Sequence, residues 1–232
     1  MREKHSPPQL KIDNLLTFEP LTKNQRSARS AWKQEGHHLV LNGAAGTGKT
    51  FNALYLALED VLDKQTPWDN IHIIRSALPT RDFGFLPGSE EEKLFPFIAP
   101  YISICSELFD YSAAYQNLVE QGIIGFHSTS YIRGTTFDSS VIIVDEMQNM
   151  TFHELDSVIT RVGIDTRIIF CGDYYQSDLK TKADKQGLLE FLEILKVMQN
   201  FSIIEFGWDD IVRSDFVRDY IMTKEMILRG DL

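Results

Sequence analysis

The chain has 232 residues, 43% apolar and 24% charged, enough for one sizeable α/β domain with a buried core. Its 23 Lys and Arg against 33 Asp and Glu leave a net charge of −10 with no long basic run, which argues against general affinity for nucleic acid except through a local stripe or base stacking. Two distant cysteines, Cys105 and Cys171, six histidines without metal-ligand spacing and no apolar run of membrane-spanning length argue against a disulfide scaffold, a histidine metal centre and an integral membrane protein. The first nine residues lack the apolar segment of a signal peptide, so a cytoplasmic protein is expected.

Residues 1–14 are polar, contain Pro7-Pro8 and read as a loosely ordered arm ahead of one domain over 15–232. Thr22 is the expected N-cap of a helix that runs to about Gln34 and ends at Gly36. Residues 38–41 form a short apolar strand. It leads into Gly43-Ala44-Ala45-Gly46-Thr47-Gly48-Lys49-Thr50, which satisfies G-x-x-x-x-G-K-[ST] at every specified position. Leu54, Leu58, Val61 and Leu62 then recur at helical spacing. The glycines thus sit between a strand and a helix, where Gly43, Gly46 and Gly48 let the backbone wrap a phosphate chain with its N–H groups inward. The helix N-terminus adds positive potential, Lys49 can reach the β and γ phosphates, and the Thr50 hydroxyl can ligate Mg2+. A nucleotide site is expected here, with Ala44, Ala45 and Thr47 completing its loop.

Residues 71–74 read as a second strand ending at Arg75. From 76 to 100 no periodicity is visible, and a loop that long after a strand's carboxyl end is expected to be functional. Residues 101–120 are helical in pattern, 123–126 are a short strand, and Tyr131-Ile132-Arg133-Gly134-Thr135-Thr136 is a polar loop. Val141-Ile142-Ile143-Val144 is a continuous β-branched run, as a strand buried on both faces requires, and it ends in Asp145-Glu146. A helix over 151–161 and a strand over 167–171 follow, the strand ending in Gly172-Asp173-Tyr174-Tyr175-Gln176. A helix over 187–198, a strand over 202–206 and a last helix over 210–228 complete the chain. Alternating strands and helices predict an α/β fold with a mostly parallel sheet.

An apolar strand ending in carboxylates, downstream of a phosphate loop, supplies the other half of a nucleotide site. Asp145 is expected to hold Mg2+ beside Thr50, and Glu146 to orient or deprotonate an attacking water. Gln148 lies just past that pair. Gln176 is either a contact to the γ-phosphate or lytic water, or an ordinary loop amide. Gln25, 18 residues before Gly43, can pair with both edges of adenine or be an exposed helix residue. Thr181-Lys182-Ala183-Asp184 imitates the guanine-reading T-K-x-D element but follows a polar segment rather than an apolar strand. It reads as a solvated turn, so ATP is favoured over GTP. An arginine finger contributes ~10³–10⁵ in rate to phosphoryl transfer. Arg133, Arg161 and Arg213 are its candidates, acting from a flexible loop or from a neighbouring subunit, with a surface ion pair as the alternative for each.

These motifs together resemble the PhoH family, a single-core relative of superfamily 1 helicases. The resemblance covers about residues 22–220. It rests on GAAGTGKT at Gly43, GFLPG at Gly84 followed by Lys93 and Pro96, YIRGTTF at Tyr131, VDEMQN at Val144, TRVG at Thr160, GDYYQSDL at Gly172 and DDIVR at Asp209. It implies a RecA-like P-loop NTPase core with helices on both faces of the sheet, ATP and Mg2+ as cofactors, and assembly that is often a hexameric ring. A link to RNA metabolism and phosphate starvation is implied as well. The resemblance also supports Gln25 as an adenine reader, by similarity to the helicase Q motif. Two positions depart from the family pattern. Its RGRT reads Arg133-Gly134-Thr135-Thr136 here, without the second basic residue, and its DEAQ reads Asp145-Glu146-Met147-Gln148. The chain is also shorter than many members, and no extra RNA-binding or nuclease module is expected in it.

The expected function is a Mg2+-dependent, oligomeric ATPase whose cycle moves the 76–100 and 131–137 loops. Single-stranded RNA or DNA is the expected polymer, with Phe83 and Phe85 either stacking on bases or packing on their own loop. A nucleotide-dependent assembly switch with incidental hydrolysis is the second class. A small-molecule P-loop kinase fits less well, because such enzymes usually lack the Asp145-Glu146 arrangement and a G-D-x-x-Q element.

Overall fold

Strands β4 (Ser140–Val144) and β5 (Arg167–Gly172) are buried at every position, and apolar strands of that kind belong in the middle of a parallel sheet covered on both faces. The computed structural model describes residues 9–76, 90–179 and 181–229. Its other strands are β1 (His38–Gly43), β2 (Asn70–Arg75), β3 (Ile124–Ser128) and β6 (Phe201–Phe206). The six strands lie in the order β3-β2-β4-β5-β1-β6, and every pairing among them is parallel.

The strand order dictates the layers. From β1 the chain steps across to β2 and then outward to β3; from β4 it turns back through β5 to β6. Crossovers between parallel strands are right-handed, so reversing the direction of travel moves the connecting helices to the opposite face. Helices α2 (Lys49–Leu62), α3 (Glu90–Phe109) and α4 (Ala114–Glu120) therefore cover one face, joined by α1 (Lys23–Trp32). Helices α5 (Phe152–Ile159) and α6 (Lys182–Val197) cover the other. The first core gathers Leu39, Leu41, Leu54, Leu58, Ile71, Ile73 and Leu108, the second Val40, Ile74, Ile142, Val144, Leu155 and Phe191. Alternation along β1, with Leu39 and Leu41 on one side and Val40 on the other, is the strand period of two. The last helix, α7 (Asp215–Arg229), follows a 3-10 turn at Trp208–Asp210.

Helix starts follow their caps. The Thr22 hydroxyl accepts from the Gln25 N–H at 3.3 Å, and Thr151 and Glu154 form a reciprocal capping box. Thr181 accepts from the Asp184 N–H at 3.0 Å, so Thr181-Lys182-Ala183-Asp184 opens α6 and is not a solvated turn.

Three further expectations are corrected. The 101–120 helix is two helices, parted where Asp110 adopts a left-handed φ of 46°. The last part of the 76–100 stretch is helical, because α3 begins at Glu90 and absorbs Pro96 and Pro100. Its apolar spacing from Ile98 through Tyr101, Ile102 and Cys105 to Leu108 anchors it on the first core despite both prolines. In the segment read as a loose arm, Leu10 is buried in the first core and Ile12–Asn14 form a 3-10 turn, and just beyond it the Leu16 N–H donates to the Leu108 carbonyl at 2.9 Å. Residues 1–8, and the 77–89 segment with Gly84, Phe83 and Phe85, lie outside the described residues. Among the described residues no helix is long and apolar enough to cross a membrane.

One buried cation clasps α1, α2 and β5. The Arg167 guanidinium lies 3.4 Å from the centroid of the Trp32 ring and donates to the Trp32 and His37 carbonyls and to Asp60. Burial pushes Asp60 up to about 6 against the pull of Arg167. Burial also pulls His38 and His72 down to about 4 each. His38 Nδ1 accepts the Ile168 N–H at 3.3 Å, a bond that needs the unprotonated ring nitrogen. When unfolded, both histidines take a proton near 6.5, so the unfolded chain binds more protons between about 6.5 and 4. Their contribution to stability is present above that window and lost as pH falls through it. Asp60 acts oppositely, since its raised value lets the native state take the proton first. Burial lowers His127, 2.9 Å from His72, in the same direction, so with three histidines against one aspartate stability should drop by about 1–4 kcal/mol between pH 7 and pH 5. Urea unfolding at the two pH values measures this, and His38→Gln should make the drop shallower.

Candidate functional site

The site forms where β1 ends. Gly43, at φ 127°, runs so close to β6 that an added Cβ would meet the Phe206 carbonyl oxygen at 2.0 Å. The next residue secures the same contact, the Ala44 N–H donating to that oxygen at 3.0 Å. Gly46 and Gly48 are left-handed, and Gly48 is the N-cap of α2. Buried Thr47 stiffens the loop by donating its hydroxyl to the Ala44 carbonyl at 2.9 Å. Lys49 folds back over the loop, its Nζ donating to the Gly43 and Ala44 carbonyls at 2.8 Å each. Burial lowers the Lys49 ammonium from its ordinary value, and nearby negative charge, Asp173 foremost, opposes that shift.

Register brings the second half of the site alongside. Asn42 of β1 pairs with Gly172 of β5, and Phe170 pairs with Val144 of β4, so Gly43, Asp173 and Asp145 emerge on one edge. The Asp145 side chain is bound from two directions. Thr50 Oγ1 donates to its Oδ1 at 2.9 Å, and the hydroxyl of Tyr101, on α3, donates to its Oδ2 at 2.8 Å. Glu146 adopts a left-handed φ of 55°, unusual for a residue with a side chain. Buried Gln148 then turns back, donating its amide to Glu146 Oε2 and accepting the Asp173 N–H on its own oxygen at 3.0 Å.

A cavity of about 770 Å³ opens along this edge. Gln25, Ala45, Gly46, Thr47, Gly48, Lys49, Thr50, Asp145, Glu146, Gln176 and Arg213 all line it. Gln25 is 4% exposed and not a surface residue; its oxygen accepts the Leu21 N–H at 2.8 Å and its amide donates to the Thr47 carbonyl at 3.0 Å. One N–H and one lone pair of that amide stay uncommitted by these two bonds.

The three candidate arginines separate in space. Arg213 lies against the phosphate loop, where its Cγ would be 3.0 Å from a Cβ at Gly46, and the neighbouring Val212 N–H donates to the Gly46 carbonyl at 3.0 Å. Arg133 is exposed beside His153, with Nη2 at 3.3 Å from Nε2, and does not line the cavity. The Arg161 carbonyl accepts the Phe137 N–H at 2.9 Å, near the start of β4 and so at the opposite edge of the sheet. Three residues at the site were missed by sequence reasoning. Asp173 and Arg75 line the cavity from strand ends, a position that is itself a signal, whereas Tyr101 sits inside a helix with no local sign of a polar role.

Chemically, this edge offers a glycine-rich loop, a helix N-terminus and an ammonium, which suit a phosphate chain. It also offers hydroxyl and carboxylate oxygens, which suit Mg2+, a cation bound by one or two carboxylates together with substrate phosphates.

The family model for PhoH-like protein matches residues 17–224. The PhoH-like protein of Bacillus subtilis is 34% identical over 202 residues, covering 86% of this chain and 61% of its own length. Protein PhoH of Escherichia coli K12 is 32% identical over 197 residues, covering 84% of this chain and 55% of its own length. The chain therefore spans between about half and two thirds of the length of these relatives. Among solved structures, the large terminase of a thermophilic bacteriophage superposes with a TM-score of 0.52 at 12% identity, over 90% of this chain and 50% of that one. The same terminase in complex with ADP gives 0.51 at 15% identity, over 87% of this chain and 49% of that one. That likeness carries the fold, the RecA-like P-loop core with helices on both faces of the sheet.

The tight contact at Gly43 is open to test. Gly43→Ala should cost on the order of 3 kcal/mol, combining a strained φ with a backbone clash. Gly36→Ala, at φ 70° with open space around it, should cost only about 1 kcal/mol. Thermal unfolding of the two variants side by side measures the difference.

Proposed function

The chain belongs to the PhoH-like family, and from that premise we propose that it is a Mg2+-dependent ATPase working as a homo-oligomer, a hexameric ring favoured, on single-stranded RNA or DNA. The observation that carries the reading is the 2.9 Å bond between Thr50 and Asp145, residues 95 apart in sequence, beside a lysine folded over a glycine loop. In this reading the loop from Gly43 to Thr50 holds the phosphates, and Lys49 offsets their charge. Thr50 and Asp145 hold Mg2+, which when bound would draw charge off the phosphoryl oxygens. Glu146, held by Gln148, orients and deprotonates the attacking water, while Gln176 contacts the γ-phosphate or that water. Gln25 reads adenine with its spare N–H and lone pair. Arg213 supplies transition-state charge within the chain, and Arg133 or Arg161 could act only on a neighbour's site. A cytoplasmic setting and a role in RNA metabolism complete the proposal.

Support for assembly comes from α7. Phe216, Tyr220 and Ile227 are 82%, 64% and 60% exposed at helical spacing, on a helix whose Ile221 packs against the phosphate loop at Gly46. The same stripe favours the second reading, in which nucleotide switches assembly and hydrolysis is incidental. Light scattering with and without ATP and Mg2+, together with turnover measured with and without single-stranded RNA, separates the two. Turnover stimulated by the polymer supports the motor; assembly without stimulation supports the switch.

Lys49→Ala should abolish phosphate release. Glu146→Gln should keep fluorescent-ATP binding while slowing turnover by about 10²–10⁴-fold. Near-wild-type turnover in that variant removes Glu146 as the water activator. Gln25→Ala should lower the preference for ATP over GTP by about 3–10-fold, the equivalent of one hydrogen bond.

A further inference from the structure

Asp145 is held by a residue that no phosphate-loop motif contains. Tyr101 is 1% exposed, its ring is packed 6.0 Å from that of Phe126, and its hydroxyl reaches Asp145 Oδ2 at 2.8 Å. A buried phenol needs a partner for its hydroxyl, and a carboxylate only 5% exposed needs donors on both oxygens. Each solves the other's problem. Thr50 serves the remaining oxygen.

The geometry of the two bonds fixes the carboxylate about its χ angles, one donor arriving from α2 and the other from α3. Helix α3 also gives Pro100, Ser103, Ile104 and Glu107 to the wall of the cavity. We propose that Tyr101 is a positioning residue for the metal site: it holds Asp145 in the orientation that presents Oδ1 and the Thr50 hydroxyl together to the cation, and so makes α3 part of the frame around that cation. The proposal rests on the reading of Thr50 and Asp145 as the metal-holding pair. Without the hydroxyl, Oδ2 would be left buried beside a phenyl ring, and the carboxylate would rotate toward solvent or toward Lys49.

The test is Mn2+ binding to the full chain in the presence of ADP, followed by electron paramagnetic resonance. Tyr101→Phe should weaken Mn2+ binding by about 10–100-fold, the range typical of partners that orient metal ligands, while ADP binding in EDTA is unchanged. Phe126→Leu, which loosens the ring and keeps the hydroxyl, should lower the thermal midpoint without that loss of Mn2+ affinity. Wild-type Mn2+ affinity in Tyr101→Phe overturns the proposal, and so does an equal loss in Phe126→Leu. A wild-type chain that binds ADP but no Mn2+ overturns instead the assignment of Thr50 and Asp145. Should Tyr101→Phe fail to fold, a ring-fluorinated tyrosine placed at position 101 reports directly. Its fluorine resonance should shift when Mg2+ is added to the ADP-bound protein, and an unmoved resonance overturns the proposal.

Discussion

All six strands of the sheet run parallel, so each delivers its carboxyl end to the same edge. Gly43, Asp145, Asp173 and Phe206 are scattered over most of the chain, yet they are neighbours because β4, β5, β1 and β6 lie side by side in register. The same constraint demands cover on both faces, which the reversal of strand progression at β4 supplies with right-handed connections alone. A ligand seated at that edge therefore touches strand ends from both directions of winding, the general property of open parallel sheets.

Part of this edge is built from left-handed backbone. Gly43, Gly46, Gly48 and Glu146 all have positive φ, and the last three of them line one cavity wall. Conformations of this kind cost about 1–3 kcal/mol for a residue with a side chain and persist only where neighbours hold them. Glu146 is held by Gln148. The left-handed turn at Glu146 lets that amide reach both the Glu146 carboxylate and the Asp173 N–H. Gly172 leaves room for the reach, since a Cβ there would meet Met147 Cγ at 2.6 Å and Gln148 Oε1 at 2.7 Å. The carboxylate end of β4 and the turn after β5 are thus one packed unit. A change at Gly172 would be felt at Glu146.

Elements and residues whose reason is local were legible in the sequence. The phosphate loop carries its own glycines, β4 its own apolar run, and α1 its own threonine cap, so each announced itself within a window of a few residues. The features that stayed hidden depend on partners far along the chain. Tyr101 acquires a polar role only through Asp145, 44 residues away, and α3 looked like loop upstream of 101 because Pro96 and Pro100 mask a periodicity that the first core nonetheless uses. Gln25 could be read as an adenine contact or a surface amide, and its burial against Thr47, 22 residues on, decides against the surface. The arginines were the least legible. A charged residue beside polar sequence looks the same whether it lines the cavity, as Arg213 does, or sits at the opposite edge of the sheet, as Arg161 does.

The charge around the cavity bears on how a nucleotide would be held there. Among the described residues its walls carry Arg29, Lys49, Arg75 and Arg213 against Glu19, Glu107, Asp145, Glu146 and Asp173. Four cations facing five anions do not make a sink for a polyphosphate, which brings further negative charge of its own. Attraction must then come from directed groups rather than from net field: the loop N–H donors, the start of α2, and Lys49 held over the loop by carbonyls it can exchange for phosphate oxygens. Because Asp145 and Glu146 face the same space, a polyphosphate entering alone would meet them unscreened. A divalent cation seated between Asp145 and the phosphates turns that repulsion into two attractions, so in the proposed reading metal and nucleotide bind as one unit. The acidity of the edge is then what makes the cation a requirement for tight binding and not only for turnover.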